Sequence, residues 1–305
     1  MTTLPSSPAA LRVGVIGTGA MGGGVVQSLV RAGIATSARD IRVEAQARAV
    51  GHGAAGCASP AELARASDVV IVLVVDAEQV ETVLFGPEGV ASGDARGRVV
   101  LVSSTVDPLY VRDLAPRLAA AGLALLDAPV SGGPAKAAAG TMTMMVSGED
   151  GALTRARGIL DLIAGRVFVL GTRAGDASTF KIVNNLLAGA NLAAGAEALA
   201  LAQASGLDLE RVRDVVNASS GGSWIFADRI PRALQNDLTP RAAVKLLAKD
   251  VAIAAALAER LGLDAPFSKL ARGAFSAAVA AGHAEDDDAV LMRLAVNAAP
   301  RFAER

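Results

Sequence analysis

The first half of the chain alternates short apolar runs with amphipathic stretches of helical length. Two of the runs, V-V-I-V-L-V-V (69–75) and V-V-L-V-S (99–103), are almost wholly apolar, which is typical of strands covered on both faces. We predict strands at 12–16, 35–39, 69–75, 99–103, 124–127, 143–147 and 166–170. We predict helices between them at 23–32, 41–49, 60–66 and 109–121. Strands that alternate with helices predict an α/β domain with a doubly wound, mostly parallel sheet.

The strand pattern ends at about residue 170, and apolar residues then recur at helical spacing between turn-like breaks. We therefore predict an unstructured tail over 1–10, an α/β domain over 11–174 and an all-helical domain over 175–305. A long interdomain helix should join the two domains.

The uncharged stretch 182–196 resembles a membrane span, which takes ~20 apolar residues. It contains Asn184, Asn185 and Asn191, and Glu197 ends it. We expect a helix buried inside the protein and covered further by a second subunit, in a homodimer or homotetramer.

A glycine-rich turn follows the first predicted strand, in G-V-I-G-T-G-A-M-G-G-G (14–24). In G-x-G-x-x-G, the first glycine permits a tight turn, the second lets a pyrophosphate approach, and the third lets helix pack on strand. The helix N-terminus adds free N–H groups and a positive dipole end. The expected cofactor contacts are Gly17, Gly19, Ala20, Met21 and Gly22. We expect Gly23 and Gly24 to allow close packing against the cofactor or a neighbouring strand.

Asp40 lies 18 residues after Gly22, at the end of the second predicted strand. An acid there accepts the ribose hydroxyls of an adenosine and repels a 2′-phosphate, which favours NAD. Arg39 and Arg42 flank it, and an arginine can hold that phosphate, so NADP stays open. A turn without a ligand and a fold that binds S-adenosylmethionine are the alternatives.

Composition argues against a nucleic-acid partner, a disulfide framework and a metal site. The net charge is −1 and aromatic residues make up 3%, which argues against a nucleic-acid partner. With one cysteine, Cys57, the chain has no disulfide framework, and a cytoplasmic setting is the default. The acidic run E-D-D-D (285–288) could suggest a metal, but a charge cluster before a helix is the better interpretation, so we expect no metal site.

Two further stretches could carry chemistry. Ser131, Gly132 and Gly133 follow a strand end, where consecutive N–H groups suit a carboxylate, although a plain loop is an equal alternative. Lys181 lies among apolar residues at the start of the long helix, and burial suits a lysine to proton transfer. Asn185 lies one helical turn further on the same face. A salt-bridged interdomain lysine is the structural alternative.

Several segments together resemble the β-hydroxyacid dehydrogenase family. They are the glycine turn, S-S-T-V-D-P (103–108), D-A-P-V-S-G-G-P (127–134), the Lys181 segment with its N-N, and A-K-D-V (248–251). The resemblance covers about 11–294 and implies a Rossmann-type NAD(P)-binding domain. The segments S-T-F-K (178–181) and S-W-I-F-A-D-R-I-P (223–231) are similar to the L-threonate dehydrogenase branch, which oxidises a four-carbon sugar acid at C2 with NAD.

The resemblance implies a role for each matching residue. Lys181 matches the catalytic lysine that exchanges the hydroxyl proton, and Asn185 matches the asparagine that hydrogen-bonds the substrate. The loop from Ser131 through Gly132 to Gly133 matches the one that holds the substrate carboxylate. Thr105 and Lys249 match cofactor contacts, and Lys249 could also reach the substrate.

The chain departs from the family pattern at Ala177, where a second glycine often precedes the lysine. This casts doubt on the substrate more than on the chemistry. Trp224 and Phe226 are expected near the cleft or in the helical core. An imine reductase that uses NADPH and a catalytically silent cofactor-binding protein remain alternatives, although Lys181 argues against both.

Overall fold

Apolar, β-branched runs form a nine-stranded sheet in a computed structural model that describes residues 11–237 and 239–300. The predicted tail, 1–10, lies outside the described residues. The strands are β1 (Val13–Ile16), β2 (Thr36–Arg39), β3 (Ala55–Gly56), β4 (Val69–Val72), β5 (Val99–Val102), β6 (Ala124–Asp127), β7 (Val130–Ser131), β8 (Met142–Gly148) and β9 (Ala164–Val169). The seven predicted strands are therefore all present, with two-residue strands β3 and β7 in addition.

The sheet is mostly parallel, as predicted, in the order β3-β2-β1-β4-β5-β6-β8-β7, and β9 also pairs with β8. Strands β1 to β6 pair in parallel, whereas β8 runs antiparallel to β6 and β7. Strand β1 pairs with β2 on one side and β4 on the other. The strand order therefore reverses at β1, and ligands of open α/β sheets bind beside the carboxyl ends of strands at such a point.

Helices cover both faces of this sheet. They are α1 (Ala20–Arg31), α2 (Val43–Gly51), α3 (Pro60–Arg65), α4 (Ala77–Phe85), α5 (Pro108–Ala120), α6 (Gly133–Ala139) and α7 (Asp150–Ile163). Alternate residues of β4 enter separate cores, with Val69 and Ile71 on one face and Val70 and Val72 on the other. Burial on both faces explains why the central strands are apolar throughout.

The described residues after 175 form helices and the loops between them. The helices are α8 (Asp176–Ala204), α9 (Leu209–Asn217), α10 (Trp224–Leu234), α11 (Val244–Arg260), α12 (Pro266–Ala278) and α13 (Val290–Ala298). The chain divides into two compact units that meet within α8, at Lys181 and Ile182. The first turn of α8 belongs to the N-terminal unit because it is hydrogen-bonded to residues of the sheet. We propose that the boundary between the two domains lies between residues 174 and 175.

Helix α8 is 29 residues long and is apolar enough, by length and composition, to cross a membrane. One side packs into the core of the C-terminal unit, where Leu192 and Leu199 join Phe226 and Phe275. The other side is open, since Val183, Leu187 and Leu201 are 53%, 59% and 69% exposed. Within the described residues the helical domain therefore covers one side of α8, as expected, and the cover that we expect from a second subunit stays a prediction.

Gly24 brings α1 unusually close to α6. A Cβ atom at Gly24 would lie 2.8 Å from both the Cβ of Ala137 and the backbone nitrogen of Ala138. Arg31 reinforces this contact, because its Nη1 donates to the Ala138 carbonyl at 2.7 Å. The packing partner is therefore helix α6, and not the strand or cofactor that the sequence suggested.

The substitution Gly24→Ala tests this packing. The added methyl group has to displace the backbone of α6, so we expect the free energy of unfolding to fall by about 1 to 3 kcal/mol. Urea denaturation measures the loss. Gly151→Ala in α7 is the matched control, because a Cβ there has no atom within 4 Å. Equal stability of the two variants would show that α1 and α6 can separate without cost.

Candidate active site

The glycine turn after β1 has the shape that a pyrophosphate requires. Gly17 has a φ of +86°, and a Cβ there would lie 2.4 Å from the Leu73 carbonyl oxygen. A Cβ at Gly22 would lie 1.9 Å from the Gly17 carbonyl oxygen. Both positions therefore exclude side chains for backbone reasons, as the fingerprint predicts.

The N-terminus of α1 suits an anion. Gly19 is the N-cap, has no side chain to cap the first turn, and is followed by no acidic residue in that turn. A Cβ at Gly19 would meet only the guanidinium of Arg42, at 2.9 Å. Ala20 is exposed at the first helical position, and Met21 packs partly on the core. Unpaired N–H groups at a helix N-terminus of this kind suit an anion such as a phosphate.

Asp40 is buried beside this turn, and the protein already engages both of its carboxylate oxygens. Thr18 donates its N–H to Oδ2 at 2.8 Å, and Arg42 donates its N–H to Oδ1 at 2.9 Å. Burial alone would raise the pKa of Asp40, but the hydrogen bonds from Arg42 and Thr18 outweigh it and hold that pKa below its usual value. The residue is therefore an ionised acceptor that also fixes the turn to the end of β2.

The Ser131 segment joins a two-residue strand to a short helix. Ser131 pairs with Thr143 of β8 and is half-buried. Gly132 and Gly133 have φ values of +130° and +75°, which non-glycine residues rarely adopt. The segment is therefore an ordered strand-to-helix turn whose backbone requires glycine at both positions.

The segment after β5 approaches the carboxyl edge of the sheet as well. Thr105 is partly buried there. Its neighbour Ser104 accepts a hydrogen bond from the N–H of Val74 at 3.0 Å, which ties the ends of β4 and β5 together. Asp107 caps α5 by accepting from the N–H of Leu109.

The first turn of α8 is fixed to the end of β6 by Asp127. Its Oδ2 accepts from the N–H groups of Ser178 and Gly175 at 2.8 and 3.0 Å, and its Oδ1 accepts from the Ser178 hydroxyl at 2.6 Å. Ser147 of β8 adds an acceptor for the N–H of Ala177 at 3.0 Å. Burial raises the pKa of Asp127, while these hydrogen bonds from Ser178, Gly175 and Ser147 oppose the rise. The first N–H groups of a helix have no acceptor within the helix, and here they donate to the side chains of Asp127 and Ser147 in the sheet.

Lys181 follows on the same helix and is buried, with 8% of its surface exposed. It lies one turn after Ser178, so the Asp127 carboxylate determines where this lysine stands. Ala177, the departure from the family pattern, is fully buried at the first turn. Its methyl group is therefore directed into the protein interior.

Asn185 and Lys249 come together in the C-terminal unit through a third residue, Asp250. The Asn185 Nδ2 donates to Oδ2 of Asp250 at 2.6 Å, and the Lys249 Nζ donates to Oδ1 at 2.6 Å. The amide of Asn184 donates to the Asn185 Oδ1 at 2.9 Å. This cluster places two of the predicted site residues on one buried carboxylate.

The acidic run 285–288 lies just before α13, as predicted, but two of its carboxylates are buried. Asp287 and Asp288 are buried. Asp287 forms an ion pair with Arg232 at 2.7 Å, and Asp288 forms one with Arg229. Burial raises the pKa of Asp288 to about 6, against the opposing effect of Arg229. Among residues 11–237 and 239–300, no group of three His, Cys, Asp or Glu side chains could hold a metal.

The two aromatic residues of α10 lie in different environments. Phe226 is buried in the helical core, whereas Trp224 is 72% exposed at the first helical position. The sequence did not assign roles to Asp127 and Asp250, although both lie inside the segments that carried the resemblance.

The chain matches known proteins along nearly its whole length. Residues 12–171 match a family model described as the NAD binding domain of 6-phosphogluconate dehydrogenase. Residues 175–295 match one described as the NAD-binding of NADP-dependent 3-hydroxyisobutyrate dehydrogenase. An L-threonate dehydrogenase of Cupriavidus necator is 46% identical over 282 residues, which cover 92% of this chain and 95% of that protein.

Solved structures show the same similarity along nearly the whole chain. The crystal structure of a 3-hydroxyisobutyrate dehydrogenase from Salmonella typhimurium aligns with a TM-score of 0.85 at 40% identity, over 93% of this chain and 99% of that chain. A Streptomyces aurantiacus imine reductase aligns over 93% and 99% of the two chains with a TM-score of 0.65 and 23% identity, which shows a shared fold only.

The substitution Asp127→Asn tests the anchor of α8. The amide oxygen can replace Oδ2 but carries no negative charge, so the hydrogen bonds from the N–H groups of Gly175 and Ser178 lose their charge assistance, at about 1 to 3 kcal/mol in all. We expect a lower unfolding midpoint in urea. Asp150→Asn, at an exposed acid in the first turn of α7, is the control and should have no comparable effect. Equal midpoints for both variants would contradict the anchoring role.

Proposed function

Because the chain belongs to the 3-hydroxyisobutyrate dehydrogenase-like family, in its L-threonate dehydrogenase branch, we propose that it transfers a hydride between L-threonate and NAD. The chain is an NAD(P)-dependent hydroxy-acid dehydrogenase by family. Another hydroxy acid of three to five carbons is the neighbouring possibility within the same chemistry. The observation that carries the proposal is the buried Lys181, which lies one turn after the Ser178 that Asp127 anchors and one turn before Asn185.

The N-terminal unit would hold the cofactor, whose nicotinamide ring supplies the hydride acceptor or donor when it is bound. The turn from Gly17 to Gly22 would bind the pyrophosphate with backbone N–H groups. The ionised Asp40 would accept the adenosine ribose hydroxyls and repel a 2′-phosphate, which favours NAD over NADP. Thr105 and Lys249 would complete the cofactor contacts.

The substrate would be held at its carboxylate and at its hydroxyl. Backbone N–H groups from Ser131 to Gly133 would bind the carboxylate, and Asn185 would hydrogen-bond the hydroxyl. Lys181 would accept the hydroxyl proton during oxidation and return it during reduction. The lysine therefore has to be neutral when the alcohol is oxidised.

A substrate panel tests this function. We expect NADH formation with L-threonate, and weaker turnover with D-threonate, 3-hydroxyisobutyrate, glycerate, 4-hydroxybutyrate or NADP. In Lys181→Ala, kcat should fall by about 10²- to 10⁴-fold, the usual contribution of general acid–base catalysis, while the Kd for NAD stays unchanged. Lys269→Ala, at an exposed lysine of α12, is the control and should keep wild-type kcat.

Two outcomes would overturn the proposal. If Lys181→Ala retained the wild-type rate, another group would have to move the proton. If NAD bound but no hydroxy acid were oxidised, an imine reductase or a silent cofactor-binding protein would account for the chain better.

We also propose that the chain forms a homodimer or homotetramer in the cytoplasm and needs neither membrane nor nucleic acid. The exposed apolar side of α8 supports this, because large apolar patches on soluble proteins usually mark interfaces. Light scattering at micromolar concentration should give a dimer or larger, and Leu187→Asp should lower the mass. Val215→Asp on α9 is the control, since Val215 is exposed outside this side. A monomeric wild type, or binding of the chain to lipid vesicles, would contradict the proposal.

A further inference from the structure

Asp250 of α11 is a buried carboxylate to which the proposed function gives no role. Only 7% of its surface is exposed. Its two oxygens accept from different side chains, Oδ2 from Asn185 and Oδ1 from Lys249, both at 2.6 Å. Neighbouring residues on a helix do not face each other, so the Lys249 side chain bends to bring its ammonium to Asp250. A buried carboxylate of this kind requires both charge compensation and hydrogen bonds.

The contact with Asp250 determines which way the Asn185 amide points. An ionised carboxylate only accepts, so the nitrogen end of the amide has to face it. The oxygen end then accepts from the Asn184 amide at 2.9 Å. An amide nitrogen carries two hydrogens, and Asp250 takes one of them. The second N–H of Asn185 thereby acquires a fixed direction.

We propose that Asp250 is a positioning residue, which orients the Asn185 amide so that its second N–H is the donor for the substrate hydroxyl. This inference rests on the proposed function for the part that concerns the substrate. The ammonium of Lys249 compensates the negative charge that the arrangement places inside the protein. Without Asp250 the amide can rotate by half a turn and present its oxygen instead.

A purely structural pair is the alternative, and exchanging the two side chains separates it from positioning. In the double variant Asn185→Asp with Asp250→Asn, an amide at 250 can donate to a carboxylate at 185, so the buried hydrogen bond can form again. The donor at position 185 is nevertheless gone. If the pair serves stability alone, the exchanged variant recovers activity as well, whereas a required donor at position 185 leaves it stable and inactive. The role of Asp250 itself is measured in Asp250→Asn, which keeps Asn185.

The experiment compares the wild type with Asp250→Asn, Asn185→Ala and the exchanged variant, with L-threonate as the substrate. We expect Asp250→Asn to raise the KM for L-threonate by about 2- to 10-fold, as for the loss of one hydrogen bond between neutral groups. The Kd for NADH, followed by its fluorescence, should change less than kcat/KM. Combining Asp250→Asn with Asn185→Ala should add little to the effect of Asn185→Ala alone.

A second readout does not depend on any substrate. In a ¹⁵N spectrum of side-chain amides, the Asn185 signal is identified by its loss in Asn185→Ala, and one of its protons should lie downfield because it donates to a carboxylate. Asp250→Asn should remove that displacement. An unmoved Asn185 signal, or recovery of kcat/KM in the exchanged variant, would overturn the positioning role. Failure of the Lys181 test alone would overturn the proposed function and leave the amide result standing.

Discussion

The hydrogen bonds from the first turn of α8 to Asp127 are the constraint on which the N-terminal unit depends. They join the strand that leads into Ser131 to the helix that carries Lys181. A helix start has N–H groups without partners, and a buried start is stable only where acceptors meet them. Because Asp127 and Ser147 supply these acceptors from the sheet, the position of the lysine follows from the position of β6.

A second constraint links the glycine turn to the same strand-to-helix turn. Gly24 lets α1 approach the backbone of α6, and α6 begins immediately after Gly132. The helix that would receive the pyrophosphate and the turn that would receive a carboxylate thus share one tightly packed contact. Two close-packed helices transmit small displacements, since interiors have few voids to absorb them.

The sequence predicted the fold well because the signals for it are local. Apolar runs and helical spacing are visible within a window of a dozen residues, whereas β3 and β7 are too short to show a pattern. The buried carboxylates could not be assigned in this way. Ser178 meets Asp127 across 51 positions and Asn185 meets Asp250 across 65, and nothing in the local pattern indicates such partners. The same limit applies to Asp288, because its partner Arg229 lies on α10 and the local charge pattern does not indicate the pair.

Asp127 and Asp250 illustrate one physical principle in two settings. A carboxylate only accepts hydrogen bonds, so its neighbours must turn their donors toward it. Asp127 accepts from backbone N–H groups and thereby holds the start of α8 in place. Asp250 accepts from the Asn185 amide and the Lys249 ammonium, and thereby sets the direction in which the amide can donate. Proton transfer and hydroxyl recognition both demand groups of defined orientation. A chain that places lysine and asparagine one turn apart on one helix therefore needs acceptors elsewhere to give each a single orientation.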